Sequence, residues 1–389
     1  MKDYKIYYAT NRNHIGDDRW HPQSYGKTFS ADGHENLRFG RMTVTADETK
    51  VQGFLDKNKN GVGVGDGESL ASYFAGQIKG NSKIEAYPEE INPKIPESKL
   101  SKAAFGSTGF FNDLKAEMSK NTDTLAYIHG FNVSWDNAVG SALALGQMLN
   151  RKTYGSNAQS VLVVLFSWPS DGSMFPYRAY RSDRKDAEDS GYAFGRGLLK
   201  LRDFFIELRD TAKMKDQDPK LCGQEIHLLC HSMGNYVLQN ALARMEEFTQ
   251  TPAMPKLFDH IFMCSADVDD DVLEPAQAME RLDELCRCIS VYYNRSDKAL
   301  IISDVTKGNP ERLGTNGAAH PHLLHNKVHQ IDCTYAATGI IEHSYYMDGA
   351  VNADIKESIE GFAQDDPRRD RLATGELPNL WRMKWDKTS

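Results

Sequence analysis

From residue 124 onward, strand-like segments alternate with helix-like segments along the chain. Each apolar, β-branched or aromatic run is followed by helical periodicity, beginning with TLAYIHG, WDNAVGSALALGQML and SVLVVLFSW. A helix over about 183–210 and a strand over 225–230 continue the pattern. Three further predicted strands and a last helix complete it: DHIFMCSA, CISVYYN, KVHQIDC and residues 350–363. Such alternation predicts an α/β fold with a mainly parallel central sheet and helices on both faces.

The first 120 residues divide into two parts of different composition. YKIYYAT and LRFGRMTV have the aromatic and β-branched content of strands, so we expect residues 1–48 to supply N-terminal strands that join the core. Residues 49–120 are polar and rich in glycine and lysine, with three prolines close together. This composition is typical of an insertion or a mobile cover. The remaining residues, 121–389, form the predicted core.

Ser232 lies between a predicted strand and a predicted helix in the segment IHLLCHSMGNYVLQNALARM. This is the context of a nucleophile elbow, G-x-S-x-G, in which a strained turn raises the serine hydroxyl above the sheet edge. The turn needs small residues two positions before and after the serine, and here these are Cys230 and Gly234. The alternative is an N-cap serine, which is common. The strand before Ser232 and the helix after it favour a nucleophile.

A serine nucleophile needs a base and an acid that orients the base. In hydrolases with such an elbow the chain order is serine, acid, histidine, each after a strand of one sheet. Asp297 follows CISVYYN, and His343 follows KVHQIDC by ten residues, so both have the expected order. Taken alone, the aspartate has the pattern of a loop or N-cap residue, and the histidine that of a half-buried ring. Order and strand placement together favour a catalytic pair.

Other residues near the elbow are alternatives for these two roles. Asp267 or Asp269, after the preceding strand, is the alternative acid. His231 is not expected to be the base because, next to Ser232 in the turn, it cannot easily reach the serine oxygen while holding an acid partner.

Backbone amides are expected to form an oxyanion hole close to Ser232. One is the N–H of Met233, and the other is the N–H of Phe131, since Gly130 lets the backbone of IHGFNVSW approach the site. An ordinary turn between strand and helix is the alternative. A nearby segment is rich in aromatic residues that line an acyl pocket or, alternatively, pack as core: Trp168, Phe175, Tyr177 and Tyr180.

Two segments have partial metal-site patterns. Residues 56–68 imitate a calcium loop that starts at Asp56, but its twelfth position is Gly67 where a glutamate is required, so calcium binding stays open. HPHLLHNKVH gathers four histidines without an accompanying Asp or Glu. We assign no metal site, and the predicted chemistry requires no cofactor.

The composition constrains the partners of the chain. The formal net charge is −8, which does not favour nucleic acid or an anionic membrane. No apolar run approaches a membrane span, and the first residues lack the apolar stretch of a signal peptide, so a cytoplasmic protein is expected. The expected partner is a small-molecule acyl substrate, and the oligomeric state is left open.

Six motifs together resemble a known family: YATNR, AYIHGFN, FSWPSDG, YRSDRKDAEDS, LLCHSMGN and SDKAL. They are similar to the bacterial branch of α/β hydrolases catalogued as domain of unknown function 900. The resemblance covers about 124–345 and the first strand, and it implies the α/β-hydrolase fold. It also implies a triad and two oxyanion donors: Ser232, Asp297 and His343, with Phe131 and Met233. In this branch the position two before the serine carries a small residue, often alanine, in place of glycine. Cys230 is therefore less unusual.

The preferred hypothesis is a serine hydrolase that cleaves a carboxylic ester or a related acyl compound. A thioesterase, a peptidase or an acyltransferase with the same triad is the alternative among enzymes. A binding or scaffold protein with vestigial chemistry on the same fold is the alternative from another class.

Overall fold

The computed structural model of the protein describes residues 1–57, 65–88, 105–151, 160–170, 176–214, 225–249, 253–300, 311–337 and 343–384. Within these residues, eleven strands form one sheet and two more form a hairpin. The strands are β1 Lys2–Thr10, β2 Arg12–Ile15, β3 Ser24–Phe29, β4 Arg38–Ala46, β5 Ser82–Ala86, β6 Asp123–Ile128, β7 Val161–Ser167, β8 Glu225–His231, β9 Phe258–Cys264, β10 Cys286–Tyr293, β11 Val328–Asp332, β12 Arg371–Ala373 and β13 Leu380–Met383.

The helices lie between these strands in the alternation that the sequence predicts. They are α1 Glu48–Leu55, α2 Gly67–Asn81, α3 Gly106–Met118, α4 Trp135–Leu149, α5 Pro176–Met214, α6 Gly234–Phe248, α7 Leu313–Asn316 and α8 Gly349–Ile359. Short 3-10 helices add Leu282–Leu285, Pro321–Leu323, Tyr345–Met347 and Pro367–Arg369. None of the helices in the described residues combines the length and the apolar content that crossing a bilayer requires.

The central sheet is mainly parallel, as the sequence predicts. Its strand order is β12-β13-β11-β10-β9-β8-β6-β7-β1-β4-β5. All neighbours from β13 to β1 pair in parallel, whereas β4, β5 and β12 are antiparallel additions at the two edges. The fold is therefore of the α/β class, consistent with an α/β hydrolase.

Two hydrophobic clusters cover the two faces of the sheet. Side chains of a strand alternate between faces, so Leu229 of β8 packs with α2, α4 and α8, while Leu228 and Cys230 pack with α5 and α6. The central strands β8 and β9 are almost continuously buried, which is why they are apolar runs and not alternating patterns.

The described part of residues 49–120 packs against the sheet. It supplies α1, α2, β5 and α3, and Leu70 and Phe74 of α2 are buried in the core. Helices α2 and α4 approach closely, since a Cβ added to Gly140 would lie 2.4 Å from the carbonyl oxygen of Ala71. That this segment is an insertion stays a prediction, and residues 89–104 lie outside the described residues.

Strands β12 and β13 correct the prediction that KVHQIDC, observed as β11, is the last strand. Strand β13 pairs in parallel with β11, and β12 pairs with β13. These strands have only three and four residues, RLA and LWRM, so they are too short to present an alternating pattern.

The carboxyl ends of the parallel strands meet at one edge of the sheet. The loop at residues 129–134 follows β6, Ser232 follows β8, and Asp297 lies in the turn after β10. His343 follows β11 on the chain. Residues far apart in sequence are brought together at this edge.

Candidate active site

Ser232 occupies a strained turn between β8 and α6. Its φ angle is +52°, in the left-handed region that residues other than glycine rarely adopt. The Ser232 N–H donates to the carbonyl of Cys264 over 2.9 Å, which ties the turn to β9. A Cβ added to Gly234 would lie 2.7 Å from the carbonyl oxygen of Ile128 and 2.8 Å from that of His129. The small residue after the serine is therefore required by the approach of α6 to the end of β6.

His343 and Asp297 form a hydrogen-bonded pair. Nδ1 of His343 donates to Oδ2 of Asp297 over 2.7 Å, and the Asp297 side chain is fully buried whereas His343 is 21% exposed. Oδ1 of Asp297 accepts the N–H groups of Ala299 and Leu300, at 3.0 and 3.3 Å. Asp297 is thus both a cap of the helical residues that follow it and the partner of a histidine.

The backbone of His343 is anchored beside the elbow. Its carbonyl accepts from Nε2 of His231 over 3.0 Å and from Oγ of Ser265 over 2.8 Å. The rings of His231 and His343 lie 4.7 Å apart between centroids. Burial, and then the neighbouring His343, hold the pKa of His231 well below its usual range, so this ring is a neutral donor. His231 supports the site although it is not placed to be the base, and no local sequence signal indicates the role of Ser265.

The contact between His343 and the elbow runs through the His343 carbonyl and the ring of His231, not through the hydroxyl of Ser232. Across the described residues, no hydrogen bond joins that hydroxyl to the ring of His343. Such a bond is often long in the absence of substrate and tightens when substrate binds.

The carboxylates of Asp267 and Asp269 bind partners other than His343. Oδ2 of Asp267 accepts from the hydroxyl of Tyr180 over 2.8 Å, and its Oδ1 lies 3.3 Å from Nε of the buried Arg312. Asp269 is hydrogen-bonded to the same arginine. The Asp267 backbone N–H does reach the carbonyl of Ser232, at 3.2 Å, so this residue is close to the elbow. The carboxylate that meets His343 is nevertheless that of Asp297.

The two expected oxyanion donors flank the elbow. A Cβ added to Gly130 would lie 2.7 Å from Cβ of Ser232, so the loop after β6 passes directly beside the serine. Within the described part of the chain, neither the N–H of Phe131 nor that of Met233 donates to a protein group. Backbone N–H groups stabilise an oxyanion when they point at it, so the oxyanion role of these two groups stays a prediction.

The aromatic residues expected at an acyl pocket differ in position. Trp168 is fully buried, stacks on His129 with 5.3 Å between centroids, and donates Nε1–H to the His129 carbonyl. Tyr180 is half-buried and contacts the ring of Phe131 at 5.7 Å. Phe175 lies outside the described residues, as does the side chain of Tyr177. Trp168 thus packs against the loop after β6, and pocket lining by these residues stays a prediction.

A cluster that could hold a metal lies at the opposite edge of the sheet. Ligand atoms of Asp123, Glu225 and His227 lie within 4.8 Å of one another at the starts of β6 and β8. Nε2 of His227 is 3.2 Å from Asp123, and Glu225 is 3.4 Å from Arg287, so protein groups already balance these charges. Its position separates it from Ser232 by the length of the strands.

In the described residues, the histidine-rich segment does not gather into a group that could hold a metal. His320 pairs with Glu274 at 3.1 Å and His325 with Asp283 at 3.8 Å, whereas His329 lies on β11 beside Trp381. Residues 58–64 of the calcium-like loop lie outside the described residues.

Comparison with known proteins identifies a family for this arrangement. The family model described as α/β hydrolase of unknown function (DUF900) matches residues 106–357. No curated protein matches the chain. The matched region contains the elbow, the loop after β6 and the histidine–aspartate pair.

Proposed function

Because the chain belongs to the α/β-hydrolase family of unknown function DUF900, we propose that it is a serine hydrolase that cleaves a carboxylic ester or a related acyl compound. The nucleophile is Ser232, the general base is His343, and the orienting acid is Asp297. The backbone N–H groups of Phe131 and Met233 form the oxyanion hole.

The acylation step starts at the serine hydroxyl. Oγ of Ser232 attacks the substrate carbonyl carbon while Nε2 of His343 takes the hydroxyl proton. Asp297 keeps the other ring proton on Nδ1 and stabilises the imidazolium that forms. The carbonyl oxygen gains negative charge and accepts hydrogen bonds from Phe131 and Met233. The imidazolium then protonates the leaving group, and an acyl-enzyme remains.

Deacylation repeats these roles with water. His343 takes a proton from a water molecule, which attacks the acyl carbonyl, and Ser232 leaves with that proton. The product is a carboxylic acid, and no metal or organic cofactor takes part in either step.

One observation supports this proposal most directly. The positive φ of Ser232 places a strained serine at the sheet edge where the hydrogen-bonded pair of His343 and Asp297 is anchored, through the contact of His231 with the His343 carbonyl. Strain of this kind persists only where the surrounding structure enforces it, and it is concentrated at functional sites.

A fluorophosphonate probe tests the nucleophile. The purified protein should take up one label, on the peptide that contains Ser232, whereas Ser232→Ala should take up none. Ser119→Ala, an exposed serine at the end of α3, is the matched control and should label as the wild type does. An unlabelled wild type, alongside a reacting control hydrolase, would favour a catalytically vestigial binding protein.

A substrate panel tests the class of acyl compound. Short and medium 4-nitrophenyl esters, the corresponding thioesters and peptide amides should be compared at equal concentration by kcat/KM. The proposal expects esters to be cleaved fastest. A clear preference for thioesters or amides would assign the same triad to a thioesterase or a peptidase.

A further inference from the structure

Arg12 is a fully buried arginine that contacts the loop after β6. It ends the YATNR motif and is the first residue of β2, and its guanidinium donates three hydrogen bonds. Nε donates to Oγ of Ser167 over 2.9 Å, Nη1 to the carbonyl of Gly26 over 2.9 Å, and Nη2 to the carbonyl of Val133 over 2.8 Å. A planar guanidinium can satisfy several acceptors in fixed directions, which an ammonium cannot do. Arg12 therefore connects β7, the β2–β3 hairpin and the loop after β6, residues 129–134.

Asp183 of α5 is fully buried and holds the same loop. Its Oδ2 accepts the N–H of Asn132 over 3.3 Å. It also accepts a hydrogen bond from Oγ of Ser170, and that hydroxyl in turn accepts the N–H of Val133 over 3.2 Å. Asn132 has a φ of +58°, so the loop turns sharply at the residue that Asp183 holds. Two opposite buried charges thus bind consecutive residues of one loop.

His129 adds a hydrogen bond to Gly130 of the same loop. Its Nδ1–H donates to the carbonyl of Gly130 over 2.9 Å, while its Nε2 accepts the N–H of Trp168 at 3.3 Å and lies 3.4 Å from Nη2 of Arg12. Burial, and then the charge of Arg12, lower the pKa of His129 to about 3. The ring is neutral, so these contacts define which nitrogen carries its proton.

Burying the charged side chains of Arg12 and Asp183 removes them from water, which disfavours their charged forms. Burial lowers the pKa of Arg12 to about 9, and Asp183 opposes this effect. Replacing buried ion pairs by apolar residues of similar volume is often neutral or stabilising, so buried charges of opposite sign are weak evidence for a role in stability. Here both charges bind backbone groups close to Phe131, in the loop whose Gly130 lies against Ser232. The geometry of the loop is what they determine.

We propose that Arg12 and Asp183 are positioning residues that hold residues 130–133 so that the Phe131 N–H meets the developing oxyanion at Ser232. This inference rests on the proposed function. The two residues touch neither substrate nor reacting atoms, and they act through the loop. A loop held this way is organised before substrate binds, which is what makes an oxyanion hole effective.

Four variants separate positioning from general stability. Arg12→Lys keeps the charge and loses the planar donor set, while Asp183→Ala removes the acceptor and Asp183→Asn retains one acceptor oxygen. Arg369→Lys is the matched control, because Arg369 is equally buried but binds Asp354, Ser358 and Gln364 away from the site. Each variant is measured by kcat and KM on the best 4-nitrophenyl ester, by thermal unfolding, and by hydrogen–deuterium exchange of the segment 129–134.

Positioning predicts a specific combination of results. Arg12→Lys and Asp183→Ala should lower kcat by roughly 10- to 100-fold, since a displacement of about 1 Å costs about that much, with KM changed by less than about 3-fold. Asp183→Asn should recover part of the loss, and exchange in 129–134 should rise in both strong variants. Arg369→Lys should keep kcat at any temperature where it is folded, even if its Tm falls.

The failures of the two proposals are distinguishable. If the wild type takes up fluorophosphonate but folded Arg12→Lys and Asp183→Ala keep the wild-type kcat and exchange, the positioning role is overturned while the hydrolase stands. If Arg12→Lys does not fold, Asp183→Asn and Asp183→Ala decide by the same measurements. A wild type that takes up no label overturns the proposed function and the oxyanion role with it.

Discussion

Nδ1 of His343 lies 2.7 Å from Oδ2 of Asp297, although the two residues are 46 positions apart in the chain. The other oxygen of Asp297 accepts two backbone N–H groups of the helical turn that it caps. The carboxylate is therefore held in place by local backbone and in turn holds the histidine ring. This arrangement leaves Nε2 as the ring nitrogen available for proton transfer.

Asp297→Asn should lower kcat strongly with the fold retained. An asparagine favours the wrong histidine tautomer, and comparable triads lose up to ~10⁴-fold in turnover. Asp267→Asn should lose much less activity, because that carboxylate binds Tyr180 and Arg312 and not His343. Steady-state kinetics of both variants on one ester, with circular dichroism for folding, make the comparison. The reverse order of effects would assign the acid to Asp267.

Gly130→Ala should reduce kcat by displacing the loop after β6, residues 129–134. The added Cβ would lie 2.7 Å from Cβ of Ser232 and 3.1 Å from Nδ1 of His231, so the loop must move away. We expect a loss on the order of 10- to 100-fold. Gly53→Ala is the control, since nothing lies within 4 Å of its new methyl group in the exposed part of α1. Equal kcat for the two variants would contradict the position assigned to the loop.

Gly234→Ala should destabilise the protein. The new Cβ would lie under 3 Å from two backbone carbonyl oxygens, those of Ile128 and His129, which cannot rotate away. Overpacking of this kind costs about 1–3 kcal/mol in the free energy of unfolding. Urea denaturation measures the change, with Gly76→Ala on the exposed face of α2 as a control expected to be neutral or slightly stabilising. A Gly234→Ala variant as stable as wild type would mean that α6 shifts without cost.

Glu357→Gln should stabilise the protein at alkaline pH and have little effect in acid. Burial, followed by the negative charge of Asp354, raises the pKa of Glu357 to about 8 from 4.5. A raised folded-state pKa contributes stability that is complete below about pH 4.5 and lost as the pH rises through 8. Glutamine resembles the protonated acid and avoids this loss. Urea denaturation of both proteins at pH 5 and pH 8.5 measures the difference, and an equal difference at both pH values would contradict the shift.

Activity should survive excess EDTA, because the proposed chemistry uses only side chains and backbone amides. Ester hydrolysis before and after chelation and desalting measures this. A loss restored by zinc would instead implicate the cluster of Asp123, Glu225 and His227, and Asp123→Asn would then abolish the restoration. A loss restored by calcium would implicate the loop that starts at Asp56.

Local sequence patterns were sufficient for much of the fold and for singling out Ser232 as the candidate nucleophile. Continuous apolar runs predicted the buried parallel strands, and the segment WDNAVGSALALGQML coincides with α4. Ser232 could be singled out because a strand, a small-residue turn and a helix are contiguous in the chain. These features depend on burial and backbone geometry within about twenty residues, which the sequence displays directly.

Which distant groups meet was decided only by the tertiary structure. The sequence favoured Asp297 and kept Asp267 or Asp269 as the alternative acid. The order of β9 and β10 in the sheet, with the turn after each, brings Asp297 to His343. Arg12 carries no local sign of its contact with Val133, 121 positions away. The reason is physical: periodicity records which side of an element is buried, whereas a hydrogen bond between distant residues depends on how strands are ordered and how closely their loops approach.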